Sequence, residues 1–256
     1  MPGGKFDSSK TRVAPVFNLL KSQQGEWPRR LLKLAEFGSP NSMIDDGIDL
    51  SFAEGYWGDK ERGLRPPTAL LEWLVYHPET WATAPDNDQR HRLYVGDLDT
   101  RESALAAIQK WSGGRKWFIF EGYTYPDALI LTPGAIIVVE GKRTEPGPTK
   151  YTKWMANRHQ IWRHIDAAWE MRDRREVFGM FIIEGEKSCI PSAWQQAALE
   201  SLSEDALRGS FPHRSPEEIA QISRCFLGAC TWRRVCECFG IDFNDIPDTV
   251  AETGTC

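Results

Sequence analysis

Three residues near the middle of the chain have the types and spacing for phosphate chemistry: Asp127, Glu140 and Lys142. Asp127 opens an apolar run directly after Pro126, and Glu140 closes the next apolar run in the triplet Glu140-Gly141-Lys142. If those runs are neighbouring strands joined at Thr132-Pro133-Gly134, the start of one and the end of the other lie at the same end of a hairpin. Side-chain alternation then puts Glu140 and Lys142 on one face with the Gly141 backbone between them. Two hard carboxylates and the Gly141 carbonyl make a seat for Mg²⁺, with Mn²⁺ as a substitute, and a neighbouring ammonium can hold or help deprotonate a water. Such equipment suits hydrolysis of a phosphodiester. The plainer reading is a meander whose strand ends carry ordinary solvated charges.

The elements that must position these groups are short. Trp117 to Glu121, Asp127 to Leu131 and Ala135 to Glu140 are each apolar and β-branched or aromatic, and they read as an antiparallel meander. Ile136-Ile137-Val138-Val139 is apolar at both alternating parities, which predicts a strand buried on both faces. Charges at the end of such a strand lie near low-dielectric surroundings and need a partner or an ion. Upstream, Arg101 to Trp111 reads as a helix with Leu105 and Ile108 at core spacing, ended by Ser112-Gly113-Gly114. Downstream, a long helix is expected from about Lys150 to Arg174, with Trp154, Ile161, Trp162 and Ile165 on one stripe, followed by a fourth strand from Val177 to Glu184.

Pro126-Asp127 followed at this distance by Glu140-x-Lys142, within the order helix, three strands, helix, strand, resembles the PD-(D/E)XK nuclease superfamily from Trp117 through Glu184. The resemblance implies an α/β (α+β) fold of restriction-endonuclease-like type, a central mixed sheet flanked by helices. It also implies that Asp127 and Glu140 bind the metal and that Lys142 positions water or stabilises the transition state. Members often carry a further acid on the helix before the meander. Glu72, on a helix opened by Pro66-Pro67, is the candidate, with Glu61 and Glu102 as competitors. The RecB-like branch has Gln-x-x-x-Tyr on the helix after the meander; here Gln160-x-x-x-His164 stands nearest, and the phase of the expected helix turns Gln160 away from its apolar stripe.

The division that follows is residues 1–100 as a mostly helical N-terminal region, 101–186 as the nuclease-like core and 187–256 as a helical C-terminal region. Residues 1 to about 10 read as a tail, and Asn41 to Arg65 as loop. The formal net charge is −5, yet between Gly141 and Ile165 six Lys or Arg face Glu145 alone. Arg143, Lys150, Lys153, Arg158 and Gln160 are therefore candidates for contact with nucleic acid, DNA rather than RNA. The competing readings are a solvated helix face, and for Arg158 a structural ion pair packed on the sheet. The chain has no apolar run of about 20 residues. Its start, MPGGKFDSSK, lacks a hydrophobic signal segment, so a soluble, cytoplasmic protein with reduced cysteines is expected.

Ser215 to Phe239 is expected to be helical. The spacing of Cys225, Cys230, Cys236 and Cys238 there favours small buried thiols over a metal cluster. Gly228 permits a helix-turn-helix reading, with Trp232, Arg233 and Arg234 facing DNA. The functional expectation is a Mg²⁺-dependent nuclease acting in defence or repair, acting alone, as a homodimer or in a larger complex. Its alternative is a non-catalytic nucleic-acid-binding protein.

Overall fold

The sheet grows outward from the two strands that carry the acids. A computed structural model describes residues 6–23, 25–40, 44–185 and 189–250, and the outermost parts of both expected tails, residues 1–5 and 251–256, lie outside that range. Its six strands are β1 (Glu36–Phe37), β2 (Glu54–Trp57), β3 (Ala128–Leu131), β4 (Ala135–Lys142), β5 (Glu176–Ile183) and β6 (Phe226–Thr231), in the spatial order β1-β6-β5-β4-β3-β2. The β2, β3 and β4 strands form an antiparallel meander, β4, β5 and β6 run parallel, and β1 closes the far edge antiparallel to β6. The protein is thus α/β, with a mixed sheet flanked by helices.

Among the described residues there are ten α-helices. They are α1 (Ala14–Ser22), α2 (Trp27–Leu32), α3 (Thr68–Tyr76), α4 (Asp88–Tyr94), α5 (Leu98–Lys110), α6 (Gln160–Met171), α7 (Ser192–Ser201), α8 (Glu204–Ser210), α9 (Pro216–Ser223) and α10 (Trp232–Phe239). Strand alternation splits the apolar residues between two layers. Ala128, Ile130, Ile137 and Val139 pack with Phe17 and Leu20 of α1, Leu31 of α2 and Trp232 of α10. Leu129, Leu131, Ile136 and Val138 pack with Ile161, Trp162 and Ile165 of α6, with Trp194 of α7 and with Leu207 of α8. A satellite cluster unites α3, α4 and α5 with Trp111, Ile119, Phe120 and Trp154. Among the described residues no helix is long and apolar enough to cross a membrane.

Four expectations about elements are corrected. The residues from Trp117 to Glu121 form turns, not a strand, because Ile119 and Phe120 bury themselves in the satellite cluster with α3 and α5. The third strand of the meander is β2, drawn from the stretch read as loop, so it precedes the helices and does not follow them. The long helix begins at Gln160 rather than near Lys150. Trp154 and Met155 belong to the satellite cluster, Ile161 and Trp162 to the sheet, and a single straight stripe cannot serve both.

The last correction concerns the C-terminal region, where β6 interrupts the expected helix. Leu227 is an extra residue in the β5–β6 register, so residues on either side of Gly228 switch sheet faces and the strand's alternation is lost. Gly228 has φ +97°, and a Cβ there would lie 1.9 Å from the Glu36 carbonyl oxygen on β1. The helix-turn-helix reading falls with this strand: Arg234 pairs with Glu36 at 3.6 Å, and Arg233 lies over the Phe243 ring. The cysteines divide between β6 and its flanks and α10. They are free, and burial pushes the Cys225 and Cys236 thiols up to about 12 and about 11.

A fully buried ion network fastens α6 to its surroundings. Arg158 donates to both oxygens of Glu121 at 3.0 and 2.8 Å and pairs with Asp166 of α6 at 2.9 Å. Arg214, before α9, donates to the other Asp166 oxygen at 2.9 Å. Removing one member of such a network leaves uncompensated buried charge, which costs about 3–5 kcal/mol. Arg158→Ala is expected to lower stability by that amount in urea unfolding. A loss under about 1 kcal/mol would show that the network is not what ties these elements together.

Candidate active site

The site forms where β3 begins and β4 ends. Ala128 sits opposite Val139, so Asp127 and Glu140 are the next facing positions along the hairpin, on the face covered by α6. The Asp127 carboxylate accepts the Gly141 N–H at 2.8 Å. Gly141 has no room for a side chain, because a Cβ would meet Val13 at 2.6 Å and Trp232 at 2.9 Å. The two termini of the described chain therefore press on the back of the strand at the residue that orients Asp127.

Glu140 is 3 % exposed and has partners on both oxygens. Lys142 Nζ lies 2.8 Å from its Oε1, and Gln160 Nε2 donates to the same oxygen at 2.5 Å. His164 Nε2 stands 2.9 Å from Oε2, and the other ring nitrogen of His164 is 2.8 Å from the Thr124 hydroxyl. An ionised carboxylate can only accept, so Nε2 is the nitrogen that carries hydrogen toward it. Burial opposes the charge on Glu140, but His164 and then Lys142 outweigh it and hold the carboxyl below its ordinary value. Burial likewise opposes the Lys142 charge, and Glu140 with Asp127 overrides it, so the ammonium is held more firmly than in water.

Asp127 is left on the other side of this balance. Burial first, and the charge of Glu140 second, push its carboxyl up to about 8, against the backbone N–H of Gly141 and the charge of Lys142. A third acid, Glu61, stands at the solvent-facing rim, where Ser9 Oγ donates to it at 2.9 Å. Its carboxyl is also raised, by burial and then by Glu140 and other acids, in spite of that hydrogen bond. The ionised Glu140 thus raises both Asp127 and Glu61, while His164 and Lys142 hold its own carboxyl down.

The donor set suits a hard divalent cation. Asp127, Glu140 and Glu61 offer carboxylate oxygens, and Gln160 Oε1 is a buried acceptor without a hydrogen-bond partner. Among the described residues no three His, Cys, Asp or Glu side chains already stand in ligating positions, and the Lys142 ammonium holds Glu140 Oε1.

Asp127, Glu140, Gly141 and Lys142 thus come together as expected, and Gln160 joins them against the expectation that it faces away. Gln160 does lie off the apolar stripe of α6, and it reaches Glu140 because the site stands beside that stripe, at the first turn of the helix. With the helix starting at Gln160, positions 160 and 164 lie one turn apart on the same side, which also explains His164. Glu72 is not at the site: α3 docks on α5, and the Glu72 carboxylate accepts from Gln109 of that helix. Thr124 gave no signal of its role, since its only qualification is a position.

The basic residues expected to grip nucleic acid have partners within the fold, Lys150 and Lys153 in exposed surface pairs. Arg143 is held by Asp248 at 2.7 Å and by Thr11, Lys150 pairs with Glu200 at 2.8 Å, and Lys153 pairs with Asp86 at 2.7 Å. Arg158 is wholly buried in its network. In a chain with more acids than bases, these cations found partners within the fold. In comparisons with known proteins, no family model, no curated protein and no solved structure matches the chain.

The raised Asp127 carboxyl has a consequence for stability. Between its unfolded value near 3.8 and its folded value of about 8, the folded state binds more protons than the unfolded one, so stability falls as pH rises through that window. Asp127→Asn should abolish this decline, so that its advantage over the wild type grows from pH 5 to pH 8 in thermal melts. Parallel pH profiles for the two proteins would show that Asp127 is not the strained acid.

Proposed function

We propose that the protein is a metal-dependent nuclease of restriction-endonuclease-like type, hydrolysing phosphodiester bonds of nucleic acid, with DNA as the expected polymer. The observation that carries this reading is the convergence of Asp127, Glu140 and Lys142 at one end of a hairpin, with Gln160 and His164 of the following helix on the same carboxylate. The crossover from β4 through α6 to the parallel strand β5 supports it. The β2 strand departs from the superfamily's order by preceding α3–α5, though its place beside β3 completes the same three-stranded meander.

A Mg²⁺ or Mn²⁺ held by Asp127 and Glu140, with Glu61 and Gln160 as further oxygen donors, would polarise the phosphate and acidify a water. The chain's own residues then divide the remaining tasks. Lys142, charged and fixed against Glu140, stands where it can orient the attacking water and stabilise charge gathering on phosphate oxygens. His164 helps keep the Glu140 carboxylate ionised, and with Gln160 it fixes the direction of that carboxylate. Asp127 holds its proton near neutrality and releases it when positive charge arrives, so cation binding should strengthen toward alkaline pH.

The deciding experiment is cleavage of supercoiled plasmid and of labelled single-stranded DNA and RNA, with Mg²⁺ or Mn²⁺ against EDTA. Metal-dependent cutting by the wild type is expected, with Glu140→Gln and Lys142→Ala each reduced at least about a hundredfold while their melting curves remain cooperative. If the wild type binds nucleic acid but cuts nothing, the protein is a non-catalytic binder or a subunit that acts only with partners. Equal cutting by the variants would remove Glu140 and Lys142 from the reaction.

A further inference from the structure

The basic residues expected beyond the motif are paired, and cations without an ion pair among the described residues occur around Tyr125. A cleft of about 1030 Å³ lies on one side of this residue, walled by Trp117, Tyr123 and Tyr125 over the buried Trp111, with Arg115 and Lys116 and the Lys153–Asp86 pair in its lining. That volume is at the upper limit of small-molecule sites. Arg115 and Lys116 are exposed and make no ion pair among the described residues. Tyr125 is 55 % exposed and packs its ring against Gly63, where a Cβ would be 2.7 Å from it. It also lines a second cleft of about 760 Å³, whose edge carries Lys21, Lys60 and Arg62, again without a carboxylate partner among the described residues.

The two clefts meet at Tyr125, beside the site, whose Asp127, Glu140 and Lys142 line neither of them. Tyr125 is two residues from Asp127, within about 7 Å of chain, and Glu61 of the catalytic cluster lines the second cleft. Aromatic walls and unpaired cations lie on both sides of a negative centre. Ring faces open to a cleft can stack only on bases whose own faces are free, which a paired duplex does not offer. Cations spaced along the rim suit the phosphates that link those bases.

From this arrangement we propose that the Tyr125 clefts bind a single-stranded polynucleotide and lead it across the Asp127–Glu140 site. The position of the scissile phosphate rests on the nuclease reading; the binding does not. The substrate class that follows is a single strand, or the unpaired arm of a branched duplex. Tyr125 is a positioning residue at the bend between the clefts.

The test measures binding in EDTA, where a metal-dependent enzyme cannot cut, by fluorescence anisotropy of labelled fifteen-nucleotide oligo-dT and oligo-U and of a duplex of the same length. Single strands should bind at least tenfold tighter than duplex, with the preference between oligo-dT and oligo-U identifying the sugar. The double variant Arg115→Glu/Lys116→Glu should weaken single-strand binding at least tenfold and flatten the log–log salt slope by about 1.4. Tyr125→Ala, an exposed and uncharged change, should weaken it about tenfold. Duplex binding as tight as single-strand binding, or wild-type affinity in both variants, overturns the proposal. Cleft-dependent binding by a wild type that never cuts with Mg²⁺ overturns the nuclease reading and leaves the clefts standing. Cutting that neither variant disturbs does the reverse.

Discussion

A strand buried on both faces cannot end in a carboxylate unless the surroundings supply its counter-charges. That constraint on Glu140 explains much of what is built around it. Lys142, two residues on, is the nearest cation that alternation allows on the same face. The start of α6 at Gln160 brings an amide and an imidazole one turn apart onto the same two oxygens. The segment before β3 must then supply Thr124 to fix the imidazole, and Glu121 to hold Arg158 where α6 begins. Each partner solves a desolvation problem first, and a geometry capable of chemistry is the result.

Charge is distributed unevenly over the molecule in a way its net value conceals. Glu140 is over-satisfied and Asp127 under-satisfied, although they face each other across one hairpin. Cations that neighbour the motif in the chain are consumed by Glu121, Glu200, Asp86 and Asp248. Others, among them Arg115 and Lys116 before the motif, make no ion pair among the described residues and stand beside aromatic rings. A count of Lys and Arg along a segment therefore measures potential partners, and only the fold decides which ones remain available to a ligand.

The central hairpin was legible because its signals are local. Apolar residues at both parities announced a doubly buried strand, and Pro126-Asp127 and Glu140-Gly141-Lys142 bracketed a single tight turn. The capping box at Ser215 and Glu218, and the left-handed stop at Gly240, are local signals too. What was illegible depends on distant partners. Trp117 to Phe120 has strand propensity, yet its rings are claimed by helices α3 and α5. The Glu54–Trp57 strand holds two glutamate or glycine positions that discourage strand assignment, and it exists because β3 offers it an edge. In β6 the bulge at Leu227 erased the alternation that marks a strand. The contact of Gln160 with Glu140 depended on where the end of β4 lies beside the first turn of α6, which helix periodicity does not tell.

The unequal reach of these pairings imposes an order on assembly. The β3–β4 hairpin closes over three residues, whereas β2 must find β3 across some seventy positions and β1 must find β6 across nearly two hundred. Asp127 and Glu140 therefore become neighbours while both are still hydrated and repel each other only weakly. Their conflict develops later, when α6 and the chain's two flanks dock and water leaves. The site's electrostatic tension is thus a product of the last stages of folding, borne by contacts of long range, and it relaxes first when those contacts loosen.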